Sequence, residues 1–211
     1  MKLFVKRKPI DYIIYSAIIF VGIFLDQLTK FLVVKHMALY QSIPLIEGVL
    51  HITYTTNDGA AFGMMGGTDS RWIFMVISTV AILAFIAFLY LGHAENMLYG
   101  VALSMVISGG IGNMIDRLGC GFYVNPETGI GEVVDFIDFC AFPEIWSAIF
   151  NGADSFVCVG AGLMVLALIL DLIKEGKAEK AKKAEKAKAQ EEITEEQAEK
   201  IAEGGEAEED K

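Results

Sequence analysis

The residues best placed to do chemistry in this chain are carboxylates and amides set in apolar surroundings. Asp26, Asp116, Asp135, Asp138 and Asp154 all lie within, or at the edge of, strongly apolar segments. They sit in compact polar signatures: Asp26-Gln27-Leu28-Thr29-Lys30, Gly112-Asn113-Met114-Ile115-Asp116-Arg117, Val133-Val134-Asp135-Phe136 and Phe150-Asn151-Gly152-Ala153-Asp154. A carboxylate at the centre of a membrane helix costs roughly 2.5–3.5 kcal/mol on insertion scales. Several such groups in one chain point to a polar site inside a membrane bundle, and so to catalysis or transport. Asp154 opens an apolar run with no basic residue beside it, and Asp135 lies in Val-Val-Asp-Phe-Ile, also without a local cation. Those surroundings raise a carboxyl pKa. Two such groups sharing one proton supply an acid and a base.

The other carboxylates have plainer readings. Asp26 and Lys30 are four apart on one helical face, so Asp26 pairs with Lys30 or caps a neighbouring group. Asp116 beside Arg117 reads as an ion pair. Asp138 lies three residues after Asp135, which turns it to the opposite face of a strand. Cys120, Cys140 and Cys158 are widely spaced, with no CxxC pair, and read as small apolar filler. His36, His51 and His93 show no paired metal-binding spacing. No metal and no cofactor is expected.

The elements that must hold these residues are apolar helices. The chain has 211 residues, 54% of them hydrophobic, with mean hydropathy +0.48. Spans are expected at about 12–34, 72–91, 97–115 and 150–173, each near the ~20 residues that cross a bilayer. The short turn at 92–96 makes the second and third an antiparallel hairpin. The first apolar run is too long for a cleaved signal peptide and lacks a small-x-small site after it, so it reads as a retained span. Residues 48–57 are rich in β-branched and aromatic types and read as a strand or two at the membrane surface; Gly59, Gly63, Gly66 and Gly67 end that stretch. The fold class expected is mainly α: a polytopic membrane protein of four transmembrane helices with a small extracytoplasmic β element. Residues 1–173 form the membrane domain and 174–211 a charged cytoplasmic tail, helical at first and then disordered. Within that tail, 174–188 carry net charge +4 and 189–211 net charge −8.

Lys2, Lys6, Arg7 and Lys8 precede the first span, and a lysine-rich stretch follows the fourth. Both termini therefore belong in the cytoplasm. This topology carries Asp26, Asn57, Asn113, Asp116, Asp135, Asn151 and Asp154 to the outer leaflet. Clustering at one leaflet, without an internal repeat, favours a surface-opening active site over a proton-coupled carrier.

The ordered set DQLTK, NDGAAFG, GGIGNMIDR, VVDFIDF and FNGAD resembles the bacterial lipoprotein signal peptidase (signal peptidase II) family, over residues 12 to 173. The resemblance implies a membrane aspartic endopeptidase in the bacterial plasma membrane, with its active site at the outer face. It would remove the signal peptide from diacylglyceryl-modified prolipoproteins, just before the lipidated cysteine. It implies Asp135 and Asp154 as the catalytic pair. It implies that Asp26, Asn57, Gly110, Asn113, Asp116, Arg117 and Asn151 shape the site or contact substrate. The expected partners are those prolipoproteins and membrane phospholipid, with no nucleic acid, and the expected state is a monomer. The stretch 118–132 is longer than is common in that family, and its Gly, Asn and Pro content reads as an exposed hairpin or loop.

Overall fold

The computed structural model describes residues 8–58, 68–91, 96–142, 144 and 148–206, without the side chains of 68–70 and 184–206. Gly59, Gly63, Gly66, Gly67, the 92–95 part of the expected turn and the last five residues lie outside the described residues. The chain divides into two compact units, residues 1–165 and 166–211.

The first unit holds three helices, the start of a fourth and one sheet. Helix α1 (Pro9–His36) begins where Pro9 pre-sets the first turn and the Asp11 carboxylate accepts from the Lys8 amide at 3.2 Å. Its last turn carries Lys35 and His36, which complement the helix dipole. Strands β1 (Ser42–Ile46) and β2 (Leu50–Asn57) follow as a hairpin. Helices α2 (Thr68–Tyr90) and α3 (Met97–Arg117) come next, α3 capped by Asn96, whose side chain accepts from the Tyr99 amide. Strands β3 (Val133–Phe139) and β4 (Ile149–Phe150) lead into α4 (Gly152–Glu206).

Among the described residues, four helical segments are long and apolar enough to cross a membrane: Pro9–His36, Arg71–Tyr90, Met97–Arg117 and Gly152–Lys183. Just over half of the α3 window is buried (56%), against 22% for α1 and 11% for α2. Helix α3 is therefore the inner helix, and α1 and α2 pack against it. Their outward faces are large and apolar, with Phe20, Phe24 and Leu32 on α1 and Ile73, Val76 and Val80 on α2 exposed. In water that surface would be a liability, but against lipid it is the required one.

Small residues allow the close packing. At Gly109 a Cβ would strike the Ala153 carbonyl oxygen and approach Val157 Cγ2 to 2.7 Å, so α3 and the first turns of α4 touch backbone to backbone. Tyr15, Leu89, Leu103 and Ile107 form the core between α1, α2 and α3.

The sheet has the order β1-β2-β3-β4, antiparallel throughout. Val33 of α1 packs with Tyr54, Val134 and Phe136 beneath it. The β2/β3 register slips between Ile52 and Thr55, a bulge that sets Thr55 opposite Asp135. The fourth apolar run begins at residue 150, yet Phe150 pairs with Ile137 in the sheet and the helix starts only at Gly152. Between α3 and β3 the chain forms a small hairpin, with a Val124–Gly131 bridge and Gly129 at φ 66° accepting the left-handed turn.

The second unit is the continuation of α4 from Leu166. Its Ala, Glu and Lys content favours helix, as does the Glu179–Lys183 pair at 2.7 Å, and the helix runs through Gly204 and Gly205 to Glu206.

Candidate active site

Five polar side chains meet where β2, α3, β3 and the start of α4 come together. Asn151 is the hinge of the group. It precedes α4 and caps it: the Asp154 amide donates to Asn151 Oδ1 at 2.9 Å, and the Asn151 amide donates back to Asp154 Oδ2 at 3.2 Å. This reciprocal box consumes two of the amides a helix start leaves unpaired, and it places Asp154 rigidly in the first turn. The Asn151 side-chain amide is then free to donate outward, to Asp135 Oδ1 at 2.6 Å and Asn113 Oδ1 at 3.0 Å. Asn113, on α3, donates its own Nδ2 to Asp154 Oδ1 at 2.7 Å. Asn57, at the end of β2, hydrogen-bonds Asp135 from the other side.

Asp135 is 3% exposed, with Val133 and Val134 buried beside it. Burial first, and the neighbouring Asp154 second, push its carboxyl up to about 7; the amides of Asn151 and Asn57 and the charge of Lys30 pull the other way. A carboxyl poised there can hold or release a proton near neutrality.

Behind this group lies a buried charge cluster. Lys30 Nζ contacts Asp26 Oδ2 at 2.8 Å and Asp116 Oδ2 at 2.7 Å, and donates to Asn113 Oδ1 at 2.9 Å. Gln27 Nε2 reaches Asp26 Oδ2, Asp116 Oδ1 and the Gly112 carbonyl, each at 3.2 Å. Asp26 Oδ1 accepts the Ala153 amide at 2.8 Å, another orphan of the α4 start. Lys30, Asp26 and Asp116 are at most 1% exposed. A buried ammonium persists only when its donors are satisfied, and here three oxygens satisfy them.

The ion pair expected between Asp116 and Arg117 is replaced by the Asp116–Lys30 bridge. Consecutive helical residues diverge around the axis, so Asp116 turns inward to α1 while Arg117 turns elsewhere. Arg117 Nε is buried without a hydrogen-bond partner among the described residues. Arg117 lines a cleft of about 180 Å³ with Asn113, Gly110, Ile82, Phe85 and Val157. A Cβ at Gly110 would meet Ile82 at 3.1 Å, so glycine keeps that cleft open. A second cleft of about 170 Å³, lined by Ile82, Leu83, Ile111, Met114 and Leu118, is wholly apolar at its surface.

Among the residues singled out from the sequence, Asp135, Asp154, Asn57, Asn113 and Asn151 come together directly. Asp26 and Asp116 stand one bond behind them, and Gly110 and Arg117 line the adjoining cleft. Lys30 and Gln27 matter more than their place in the Asp-Gln-Leu-Thr-Lys run implied; the placing of Lys30 four residues after Asp26 and three after Gln27 was the available signal. Arg71, at the head of α2, was missed. Its Nη2 donates to the Arg117 carbonyl and, at 2.7 Å, to the Gly131 carbonyl, tying α2 to the hairpin. Nothing local marks Arg71, because both acceptors are distant in sequence.

Asp138 accepts from Thr53 Oγ1 at 2.7 Å. With His51 and Cys140 it forms a loose group whose donor atoms lie within 4.8 Å of one another.

The family model described as Signal peptidase (SPase) II matches residues 18–170. The chain belongs to the signal peptidase II family. Its relatives include the lipoprotein signal peptidase of Halalkalibacterium halodurans, 38% identical over 169 residues, covering 80% of this chain and 98% of that one. That of Geobacter metallireducens is 39% identical over 171 residues, covering 81% and 98%. That of Bacillus pumilus is 42% identical over 157 residues, covering 74% and 93%. Two solved structures share the fold. One, described as a bacterial membrane enzyme structure by the in meso method at 1.9 Å resolution, is 34% identical with TM-score 0.60, covering 73% of this chain and 91% of that one. Another, at 2.3 Å, is 33% identical with TM-score 0.62, covering 75% and 88%. Family membership and four apolar helices make this a multi-pass membrane protein.

Proposed function

We propose that this signal peptidase II family member is an aspartic endopeptidase that cuts prolipoproteins just before a diacylglyceryl-modified cysteine. The observation that carries the reading is the bridging of Asp135 and Asp154 by one residue, Asn151, through its side-chain and backbone amides, beside a largely apolar cleft. One carboxylate takes a proton from water, which attacks the scissile carbonyl. The other, protonated, donates to the carbonyl oxygen. Help of this kind is typically worth about 10²–10⁴-fold. Asn57 holds Asp135 in place, and Asp26 and Asp116 act through Lys30 and Asn113. Gly110 and Arg117 shape the wall against which substrate lies. The two clefts on α2 and α3 suit acyl chains and a signal helix.

Basic residues flank the first and last spans, which supports cytoplasmic termini and a site at the outer face. Residues 1–173 then form the peptidase domain, surrounded by phospholipid and complete as a monomer, with 174–211 a charged tail.

Two outcomes test this reading. Water and two carboxyls suffice for the chemistry, so prolipoprotein cleavage should survive exhaustive chelation. A strict requirement for a divalent ion would contradict it. The second outcome is the pH dependence. The pair works with one proton, and that proton is lost as pH rises through about 7. Cleavage should therefore fall on the alkaline side with a midpoint near 7, a property of the coupled pair. A rate flat from pH 6 to 9 would contradict it.

A further inference from the structure

We infer that Lys30 is a positioning residue for the aspartate pair: by fixing the Asn113 amide it keeps Asp154 the proton acceptor and leaves the shared proton on Asp135. The inference rests on the reading of Asp135 and Asp154 as that pair.

The argument starts from what each group can donate. An ammonium only donates, so the Asn113 atom facing Lys30 must be its carbonyl oxygen. The Asn113 NH₂ then has one direction left, toward Asp154 Oδ1. Asn151 is locked in the same sense. Its oxygen accepts the Asp154 amide, so its NH₂ faces Asn113 Oδ1 and Asp135 Oδ1. The Asn113 carbonyl thus receives from two donors at once, and the polarity of the chain is anchored at Lys30 on one side and at the Asp154 backbone amide on the other. Both oxygens of Asp154 accept N–H bonds, one from Asn113 and one from the Asn151 backbone. That carboxyl also sits in the first turn of a helix, where the backbone amides favour negative charge. Asp135 lies on a strand and accepts from the side-chain amides of Asn151 and Asn57.

Among the described residues, the charged groups behind the pair come from two helices. Lys30, with Asp26 behind it, comes from α1; Asp116 and Arg117 come from α3; β2 contributes the neutral Asn57. Without Lys30 the Asn151 side chain alone holds the Asn113 carbonyl, and an Asn113 amide that turns over presents its oxygen to Asp154, which a carboxylate tolerates only by taking the proton. The acid and base roles would then scramble.

Lys30→Met removes both the donor and the charge. Lys30→Met combined with Asp116→Asn removes the donor while keeping the net charge of the Asp26, Lys30 and Asp116 cluster unchanged. The readout is the pH profile of kcat/KM on a diacylglyceryl-modified prolipoprotein, with wild-type protein alongside. Loss of a cation beside Asp135 disfavours its ionised form, so in Lys30→Met the alkaline limb should move to higher pH. The rate should fall by about 10²-fold, the low end of acid–base help. The double variant should keep the rate loss and an altered limb.

A Lys30→Met enzyme that loses rate equally at every pH, with the limb in place, would reduce Lys30 to packing and overturn the inference. A double variant that regains the wild-type rate and limb would show charge alone at work, and overturns it too. No cleavage by the wild type would instead strike at the proposed function. Should neither variant accumulate, ¹³C-carboxyl-aspartate NMR of the full-length protein answers the same question. The signal titrating near neutrality should vanish in Asp135→Asn. In Asp154→Asn it should persist but titrate at lower pH. The reverse assignment would place the proton on Asp154 and overturn the inference.

Discussion

Replacing Asp135 or Asp154 by Asn should each cut prolipoprotein cleavage by about 10²–10⁴-fold, while the protein stays folded in the membrane. The size follows from the division of labour. Each carboxyl is one half of a proton exchange, and loss of either removes a term of about 10²–10⁴. Neither loss is additive with the other, because the two act as a unit. Retention of the fold follows from the local bonding. Asn at 135 can still accept from Asn151 through its own oxygen, and Asn at 154 can still accept the Asn113 amide. Substitution at 135 also removes a carboxyl that burial and Asp154 hold near 7, so folding should become slightly easier at neutral pH. Purified variants, matched to wild type by melting temperature and assayed on one substrate, check this. Substantial turnover in either would remove that residue from the pair.

Gly109→Val should nearly inactivate the enzyme and destabilise it, although Gly109 carries no functional group. The added Cβ would collide with the Ala153 carbonyl and crowd Val157, and backbone cannot step aside as a flexible side chain can. Overpacking of this kind typically costs about 1–3 kcal/mol. The functional cost arises because Ala153 precedes Asp154. Moving α4 away from α3 lengthens the 2.7 Å bond between Asn113 and Asp154. A misplacement of about 1 Å can cost on the order of 10²-fold. Gly162→Ala, on α4, is the control: its Cβ would meet nothing within 4 Å, so activity and melting temperature should hold or improve slightly. Equal tolerance at both positions would refute close α3–α4 packing as the device that sets Asp154.

Much of this site was legible from residue order because its members announce themselves locally. Asp135 and Asp154 stand out as carboxyls in apolar runs without a neighbouring cation, and the structure gathers both around Asn151. The four apolar runs were legible for the same reason, since a length near 20 residues is a local property. What was not legible depends on pairs far apart. Lys30 serves Asp116 and Asn113 as well as Asp26, and only the folded α1–α3 contact shows it. The Asp116–Arg117 reading went wrong because adjacency in sequence is not adjacency on a helix surface. The start of α4 was displaced by two residues because Phe150 is apolar whether it faces lipid or pairs with Ile137. The β2/β3 bulge has no composition signal at all, yet it decides which β2 residue faces Asp135.

The most direct test of the central claim is to map the cut bond. Purified wild-type protein in detergent or lipid would be given one prolipoprotein with and without the diacylglyceryl group, and the products weighed by intact-mass spectrometry. The account predicts a single new amino terminus at the modified cysteine, formed from the lipidated substrate and not from the unlipidated one. Cleavage elsewhere, equal cutting of both substrates, or no cutting by correctly folded protein would contradict it.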